Sequence, residues 1–487
     1  MSKYYASIGL EMHCEGSKIK SKVFSPAKNA YSDLPNENVV AIDMAFPGVL
    51  PVVNKEAVRM SIMMSSILHA RIPKYMYFER KNYFYPDLPK GYQITQNPPE
   101  ECVGNGGYID IERDDGTTFR VDIDNFHLEE DTARSTHLFN TTTLNYNRAC
   151  APLFELVTKP CLHSADDAVA FLEYIKAIYQ YCDISEADPK KGQIRCDVNV
   201  SISDNENTLG TKVEIKNVNS FSNIRDAINY EIERQSDLKD AGRYDEVVQE
   251  TGRWDEESGR TISMRSKEDV LDYKYFVEPN IPKYKLDSKW IEEIQSSIPE
   301  LPYERKEKYI NELGLSSKDA KKLIKDKAIS DYFDTCIKLG IEAKEACNWV
   351  NENIIAYMNK NEIEINDIYL TPEMLKFILD KQKEGIISSK QAREVFNKVL
   401  DEKKEPSNFI SKENAQISDS RELEKIIDDI ISSNPTQVEQ YKGGKDRLFD
   451  FFIGQVMKNT RGKANPIITK ETVSYTHLRA HETSQDL

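Results

Sequence analysis

The sequence predicts an α+β fold, a mostly antiparallel sheet followed by helices alone, on three observations. Apolar and polar residues alternate in separated segments of the first 290 residues, a turn sequence joins two of them, and strand signals stop after about residue 290. Ile8-Gly9-Leu10-Glu11-Met12-His13 places Ile8, Leu10 and Met12 on one side and Glu11 and His13 on the other, because successive side chains of a strand point to opposite faces. Tyr108–Glu112 and Thr118–Asp122 flank Asp114-Asp115-Gly116, the composition of a hairpin turn. Arg195–Ile202 alternates too, with Asp197, Asn199 and Ser201 on one side, and Lys212–Lys216 repeats the pattern. Two helices interrupt these strands. Ser164 with Asp167 predicts a capping box for a helix reaching about Cys182, whose Phe171, Leu172, Ile175, Ile178 and Tyr179 have helical spacing. A second helix is predicted over about Ser222–Leu238, with Ile224, Ala227, Ile228 and Ile232 inward.

The helical remainder divides by composition. Residues 291–401 read as one helical domain, 402–419 as a polar linker and 420–473 as a small helical tail unit. Thr371 as N-cap, Pro372 at the first position and Gly385 past the end mark one helix, and the next covers about Ser388–Leu400. A chain of 487 residues holds roughly two to four domains and a sizeable core. No apolar run approaches a membrane span, and the N-terminus has no signal-peptide core. Eight cysteines without a CxxC pair speak against a disulfide framework or zinc cluster and for reduced thiols in the cytoplasm. A net charge of −16 excludes binding nucleic acid with the whole surface and leaves room for a local basic patch.

Three groups of residues have the composition of a site. The segment Phe78–Gln93 mixes rings with cations: Arg80, Lys81, Tyr83, Tyr85, Lys90 and Tyr92 suit a surface that stacks on a base and holds phosphate. Taken alone, a rigid Pro-bounded connection packed on the domain edge explains it slightly better. Glu11 and His13 share one strand face, Phe126-His127-Leu128-Glu129-Glu130-Asp131 adds another strand end with three consecutive carboxylates, and Asp197 is on a third polar face. Glu11, Glu129 and Asp197 brought together repel one another unless a cation sits among them, and hard carboxylate oxygens suit Mg²⁺, with His13 as a further ligand or proton-transfer group. The alternative is the solvated side of an edge strand. Cations also cluster near the end, at Lys442, Lys445, Arg447, Lys458, Arg461 and Lys463 around Gly443-Gly444, as phosphate contacts or as a solvated helix face. No GxxxxGK[ST] or GxGxxG occurs, so any nucleotide phosphates must be held by carboxylate-bound metal and by cations. No serine or cysteine nucleophile pattern is visible.

Several segments, in order, resemble the B-subunit family of the aspartyl/glutamyl-tRNA(Asn/Gln) amidotransferase. They are Ile8–His13, Phe46–Lys55, Arg80–Gln93, His127–Asp131, Asn147-Arg148 with Pro152-Leu153, Arg195–Ser201, Lys212–Phe221, Gln249–Thr251 with Trp254–Glu256, Met264-Arg265, and Asp272–Phe276 with Glu278-Pro279. The resemblance implies a cradle-like catalytic domain over 1–290, then the helical domain and a tail domain that grips tRNA. It implies ATP-dependent phosphorylation of the side-chain carboxylate of Glu-tRNA(Gln) or Asp-tRNA(Asn), then amidation by ammonia. The implied partners are misacylated tRNA, the amidase that makes the ammonia (the A subunit) and a small linking protein (the C subunit), in a cytoplasmic heterotrimer. Its magnesium site maps onto Glu11, His13 and Glu129, and extends to Asp197 and Glu130. Lys81 is the matching cation for phosphate or carboxylate. Tyr83, Tyr85 and Tyr92 are the candidate surface for the tRNA acceptor end.

The chain departs from the family pattern in places. Phe24-Ser25-Pro26 and Ile42-Asp43-Met44-Ala45 stand where many members carry a zinc cluster, so no zinc is expected. A D-x-N-R-x-G-x-P-L segment reads Asn145–Leu153 without its Asp and Gly, Lys190-Lys191 replaces an acidic pair, and Phe276-Val277-Glu278-Pro279-Asn280 replaces Phe-Pro-Glu-Pro-Asp. Residues 474–487 do not continue the family's final helix and read as translated adaptor DNA, so the homologous chain is expected to end near Val473, truncated. A scaffold that binds tRNA around a decayed metal site is the alternative. The presence of Glu11, His13, Lys81, Glu129 and Asp197 together favours the catalytic reading.

Overall fold

A computed structural model describes residues 3–97, 101–113, 115–218, 220–266, 272–410, 420–442, 445, 447–460, 464 and 468–474. The strands are β1 (Tyr5–Glu15), β2 (Tyr75–Met76), β3 (Glu79–Asn82), β4 (Tyr92–Thr95), β5 (Gly104–Asn105), β6 (Tyr108–Glu112), β7 (Thr118–Glu130), β8 (Arg134–Leu138), β9 (Thr141–Asn145) and β10 (Pro152–Thr158). They continue with β11 (Ile194–Ser203), β12 (Val213–Val218), β13 (Glu250–Asp255), β14 (Arg260–Ser266), β15 (Phe276–Val277) and β16 (Tyr284–Lys285). A nine-stranded sheet runs in the order β14-β13-β12-β11-β1-β10-β7-β5, with β6 paired to β7. β3 lies between β15 and β4 in a small second sheet. The predicted hairpin is β6–β7, in register from Tyr108↔Asp122 to Glu112↔Thr118.

Alternation decides what each face of the large sheet does. Ile8, Leu10, Met12 and Cys14 of β1 join Phe126 and Leu128 of β7, Phe154 and Leu156 of β10 and Cys196, Val198 and Val200 of β11 in one buried cluster. Helices α1 (Lys55–Ile67), α2 (Ala165–Tyr181) and α3 (Phe221–Asp240) contribute Ile62, Phe171, Leu172, Ile175, Ile224 and Ile228 to the same cluster. Each such large apolar side chain contributes about 1.5–3 kcal/mol when fully buried. The other face is thereby left to the polar residues of the same strands.

Helix starts follow the sequence closely. Ser164 accepts from the Asp167 amide, as predicted, but the Asp167 carboxylate pairs with Arg113 at 2.6 Å. One pairing differs from the antiparallel expectation: β12 and β13 run parallel. Parallel neighbours need a long crossover, and α3 lies in that connection.

The chain divides into two compact units, Met1–Lys308 with Ile324–Lys327, and Tyr309–Leu323 with Ala328–Leu487. In the second, Thr371 caps a helix over Pro372–Lys383, and Gly385 turns the chain at φ +70°. Ser388 and Gln391 close a capping box on a helix over Ser389–Glu402, which reaches the start of the stretch read as linker. Residues 411–419 of that stretch and 475–487 of the C-terminal segment lie outside the described residues. Helices over Ser420–Ser432 and Leu448–Asn459 bury Leu423, Ile427, Ile430, Phe452 and Val456 together. No helix among the described residues is long and apolar enough to cross a membrane.

Candidate active site

The polar face of the large sheet gathers acids and imidazoles at its centre. β1 pairs with β10 on one side and β11 on the other, which sets His13 opposite both Glu155 and Arg195. Glu155 in turn faces His127 of β7. One residue pair further along β1, Glu11 faces Asp197. Glu129 is two residues from His127 and therefore on the same face. Glu155 Oε2 is 3.2 Å from His13 Nε2 and 3.2 Å from His127 Nε2. His13 Nε2 is 3.9 Å from a carboxylate oxygen of Glu11 and 3.9 Å from one of Glu129.

Lys81 enters from β3 and closes this group on one side. With Glu11, Thr95, His127, Glu129, Glu155 and Tyr275 it lines a cavity of about 160 Å³. The Thr95 hydroxyl donates to Glu129 at 3.1 Å, which fixes that carboxylate. Lys81 Nζ also lies 5.0 Å from the centre of the Tyr273 ring. Asn125 Nδ2 donates to the Asp124 carboxylate at 3.0 Å, so the oxygen of the Asn125 amide faces His127 Nδ1, 2.9 Å away. A carboxylate only accepts, so this order puts a proton on Nδ1 of His127 and aims Nε2 at the acids.

Electrostatics in the group follow from burial and from Glu155. Burial opposes ionisation of Glu155, but the flanking His127 and His13 outweigh it and hold its carboxyl well below the usual range. Burial likewise opposes protonation of His13 and His127, and there Glu155 wins, raising both imidazoles. Glu11 and Glu129 are pushed up, first by burial and then by the charge on Glu155. Lys81 is raised despite its burial because Glu129, Tyr275 and Glu155 face it. Asp131, two residues beyond Glu129, is buried yet held down to about 2 by Arg148 and Arg195.

The donor atoms fit a divalent ion. One ligand atom each from Glu11, His13 and Glu155 lie within 4.8 Å of one another, and so do those of His127, Glu129 and Glu155. Carboxylate oxygens with imidazole nitrogens suit a hard or borderline divalent cation, Mg²⁺ or Mn²⁺.

The remaining expected residues distribute differently. Asp197 is on the same face but bound to Lys216, Nζ to Oδ2 2.7 Å. Glu130 follows Glu129 directly and so points to the opposite face, where it pairs with Lys90 and accepts from the Ile94 amide at 2.8 Å. Arg80 is fixed by Glu278, Nη2 to Oε1 3.1 Å, and lies 4.0 Å over the Tyr92 ring. Tyr83 packs edge-on against Tyr273 at 6.0 Å. Tyr85 is 59% and Phe84 95% exposed, at the rim of an open cleft of about 490 Å³ bounded by Pro86, Leu88, Pro89, Lys90 and Gly91. The ends of the segment are thus packed and its tip is open. In the second unit Lys445, Arg447 and Lys458 are exposed, and Arg461 and Lys463 lie outside the described residues.

Two members of the group carried no role in the sequence reading. Glu155 is the single charged residue in Pro152–Thr158, a carboxylate inside an apolar strand, which was a usable signal. His127 stands two residues before Glu129 in a strand, which puts both on one face, as Glu11 and His13 are.

Comparison with known proteins agrees with the order of the matching segments. A family model described as the GatB/GatE catalytic domain matches residues 6–292, and one described as a GatB domain matches residues 331–475. A protein of Limosilactobacillus fermentum, named as the B subunit of aspartyl/glutamyl-tRNA(Asn/Gln) amidotransferase, is 42% identical over 471 residues, 96% of this chain and 98% of its own. Proteins of the same name are 41% identical in Brevibacillus brevis, over 96% of this chain and 97% of theirs, and 42% identical in Coxiella burnetii, over 94% and 96%. With both domain models matched in sequence order and relatives aligned over nearly their full length, this chain belongs to the family of aspartyl/glutamyl-tRNA(Asn/Gln) amidotransferase B subunits.

Proposed function

We propose that the acid–imidazole group and Lys81 activate the side-chain carboxylate of a misacylated tRNA, Glu-tRNA(Gln) or Asp-tRNA(Asn), for conversion to the amide. The enzyme class is a carbon–nitrogen ligase with glutamine as amido donor. A carboxylate is a poor acyl donor. In the first step its oxygen attacks the γ-phosphorus of ATP, the bond to the β–γ bridging oxygen breaks, and ADP leaves with the electron pair. Ammonia then attacks the carbonyl carbon, the bond to the phosphate oxygen breaks, phosphate departs with its electrons, and nitrogen loses a proton.

Positioning and charge stabilisation carry such a phosphoryl transfer. Glu11, His13, Glu129 and Glu155 would hold Mg²⁺, with Asp197 at the margin, and the ion when bound neutralises phosphate charge. Lys81 supplies a fixed positive charge toward the reacting oxygens. Thr95 orients Glu129, and Asn125 orients His127. The exposed Phe84–Tyr85 tip offers rings for the tRNA acceptor end, and Lys445, Arg447 and Lys458 offer phosphate contacts. Ammonia comes from the amidase of the heterotrimer, tied on by its small third member, in the cytoplasm.

The observation that carries this reading is the convergence of Glu11, Glu129 and Glu155 on one cavity beside Lys81, with His13 against Glu155. The test is Glu11→Ala in the complete heterotrimer, following ATP-dependent amide formation on misacylated tRNA. Loss of at least about 100-fold in turnover is expected, as for removal of a charge-stabilising group. Unchanged turnover, or equal amidation of the free amino acid, overturns it.

A further inference from the structure

A second group of cations and rings lies outside the acid group, on the small sheet of β2 and β16. Lys285 faces Tyr75 across that pair, and Tyr284 faces Met76. Two residues along, Lys283 Nζ stands 4.6 Å from the centre of the Tyr77 ring and 5.6 Å from that of Tyr75. Lys74 Nζ lies 5.8 Å from the centre of the Tyr75 ring. Alternation separates this face from the core: Met76 and Phe78 are buried in the main cluster, while Lys74, Tyr75, Lys283 and Lys285 are exposed. The chain carries 81 acids to 65 lysines and arginines, yet no carboxylate among the described residues pairs with Lys74, Lys283 or Lys285. Three like charges gathered on two short strands repel one another until an anion joins them. Tyr75, 42% exposed, adds an open ring beside them.

We infer that this face holds the unpaired nucleotides at the 3′ end of the tRNA, with Lys74, Lys283 and Lys285 on phosphates and Tyr75 under a base. This rests on the reading that the aminoacyl carboxylate is activated beside Lys81. Ammonium groups take the phosphates of any nucleic acid, and an open ring takes a base that is not already stacked in a duplex. A duplex would engage the lysines and leave Tyr75 unused. The face is also close to the reacting end. Tyr77 precedes Lys81 by four residues, so the two are at most about 14 Å apart along the chain. Gln96 ties Tyr77 to the acid cavity, which it lines, by donating from Nε2 to the Tyr77 carbonyl at 3.3 Å. A short run of nucleotides therefore joins a base on Tyr75 to an amino acid at Lys81. Lys81 is flanked in the chain by two ring-bearing surfaces, this one before it and the Phe84–Tyr85 tip after it. The cations beside the tip, Arg80 and Lys90, are bound by Glu278 and Glu130, whereas Lys74, Lys283 and Lys285 keep their charge for a ligand.

The experiment is a cycle between the protein face and the RNA end. The complete heterotrimer is titrated with deacylated tRNA, either intact or trimmed of its unpaired 3′ nucleotides, over a range of salt. The proteins compared are the parent, the combined variant Lys74→Gln with Lys283→Gln and Lys285→Gln, and Tyr75→Ala. The combined variant is expected to bind intact tRNA about tenfold more weakly or worse, and its slope of log affinity against log salt should be shallower by about 2, three phosphates at about 0.7 each. Tyr75→Ala is expected to lose about fivefold or more, the stacking of one base. Trimming should weaken the parent by a similar factor and leave both variants nearly unchanged, because RNA and protein changes then remove the same contact. Equal losses on trimming in parent and variants would place the contact on another part of the RNA and overturn the inference, as would unaltered affinity for intact tRNA. A folded variant that no longer assembles with its partners in gel filtration would make this face a subunit interface and overturn it too. Should the combined variant not fold, Tyr75→Ala and Lys283→Gln alone decide the matter. Unchanged amidation by Glu11→Ala instead removes the underlying reading, and the binding cycle, which involves no chemistry, is read independently of it.

Discussion

Glu155 lies between two imidazoles, its Oε2 3.2 Å from Nε2 of both His13 and His127. That single carboxylate belongs to both groups of candidate ligands and sets the charge of its neighbours. Replacing it by the isosteric amide keeps the volume and removes the charge. Glu155→Gln is expected to weaken Mg²⁺ or Mn²⁺ binding, measured by calorimetry, at least tenfold, the lower end of what even outer-shell changes cost. In the metal-free protein both imidazoles should titrate at lower pH than in the parent, read by NMR. Unchanged metal affinity with unmoved imidazoles would remove Glu155 from the site.

The raised imidazoles give metal binding a definite pH dependence. His13 and His127 titrate above the ordinary histidine value of about 6.5 in the metal-free protein. Their contribution to stability is then full below about 6.5 and is lost as pH rises through the raised folded values. A divalent ion must displace these protons, so its binding releases them. Apparent affinity for Mg²⁺ is expected to rise with pH from 6 to 8, with proton release visible as a buffer-dependent binding enthalpy. Mg²⁺ should also restore the stability lost over that range. Affinity flat in pH would place the ion elsewhere.

Asp131 anchors the end of β7 by charge rather than by packing. It accepts from Arg148, and from Arg195 at 3.0 Å, and its carboxyl is held down to about 2. A carboxyl depressed on folding contributes stability that is complete above its unfolded value, about 3.9, and is lost as pH falls toward 2. The shift corresponds to about 2 kcal/mol. Asp131→Asn should lower the urea midpoint at pH 7 and flatten the acid limb of stability between pH 4 and 2. Acid limbs that coincide would show that the two arginines contribute nothing net.

How much of this was legible depended on whether the information was local. Strand alternation is local, and it put Glu11 and His13 on the face opposite Leu10 and Met12, where they stand. Helix caps are local too, and Thr371 and Ser388 start helices as their spacing indicates. Cross-strand register is not local. Nothing near Glu155 announces that its strand lies between β1 and β7, so a lone acid in an apolar run passed without a role. Glu130 was grouped with Glu129 by adjacency in the chain, although strand geometry sends neighbours to opposite faces. Arg80 and Lys90 were read as open cations because their partners, Glu278 and Glu130, are far off in sequence.

The stretch between β1 and α1 is held by a buried ion pair. Lys22 Nζ is 3.1 Å from Asp43 Oδ2 with both side chains fully buried, and it also donates to the Tyr146 carbonyl at 3.2 Å. Asp43 Oδ2 accepts from the Val40 amide at 2.9 Å, so the pair ties one loop to another and sets the turn of the second. Burial pushes the Lys22 ammonium down even with Asp43 beside it. Removing only the acid strands a buried charge, which costs about 3–5 kcal/mol, whereas replacing both partners by apolar residues of similar volume is far less harmful. Asp43→Ala should therefore lower the urea midpoint much more than the double variant Lys22→Met with Asp43→Leu. Its deficit should also shrink as pH rises toward 10, because a neutral amine needs no counter-charge. Equal loss in the single and double variants would mean that these side chains stabilise the loops by shape alone.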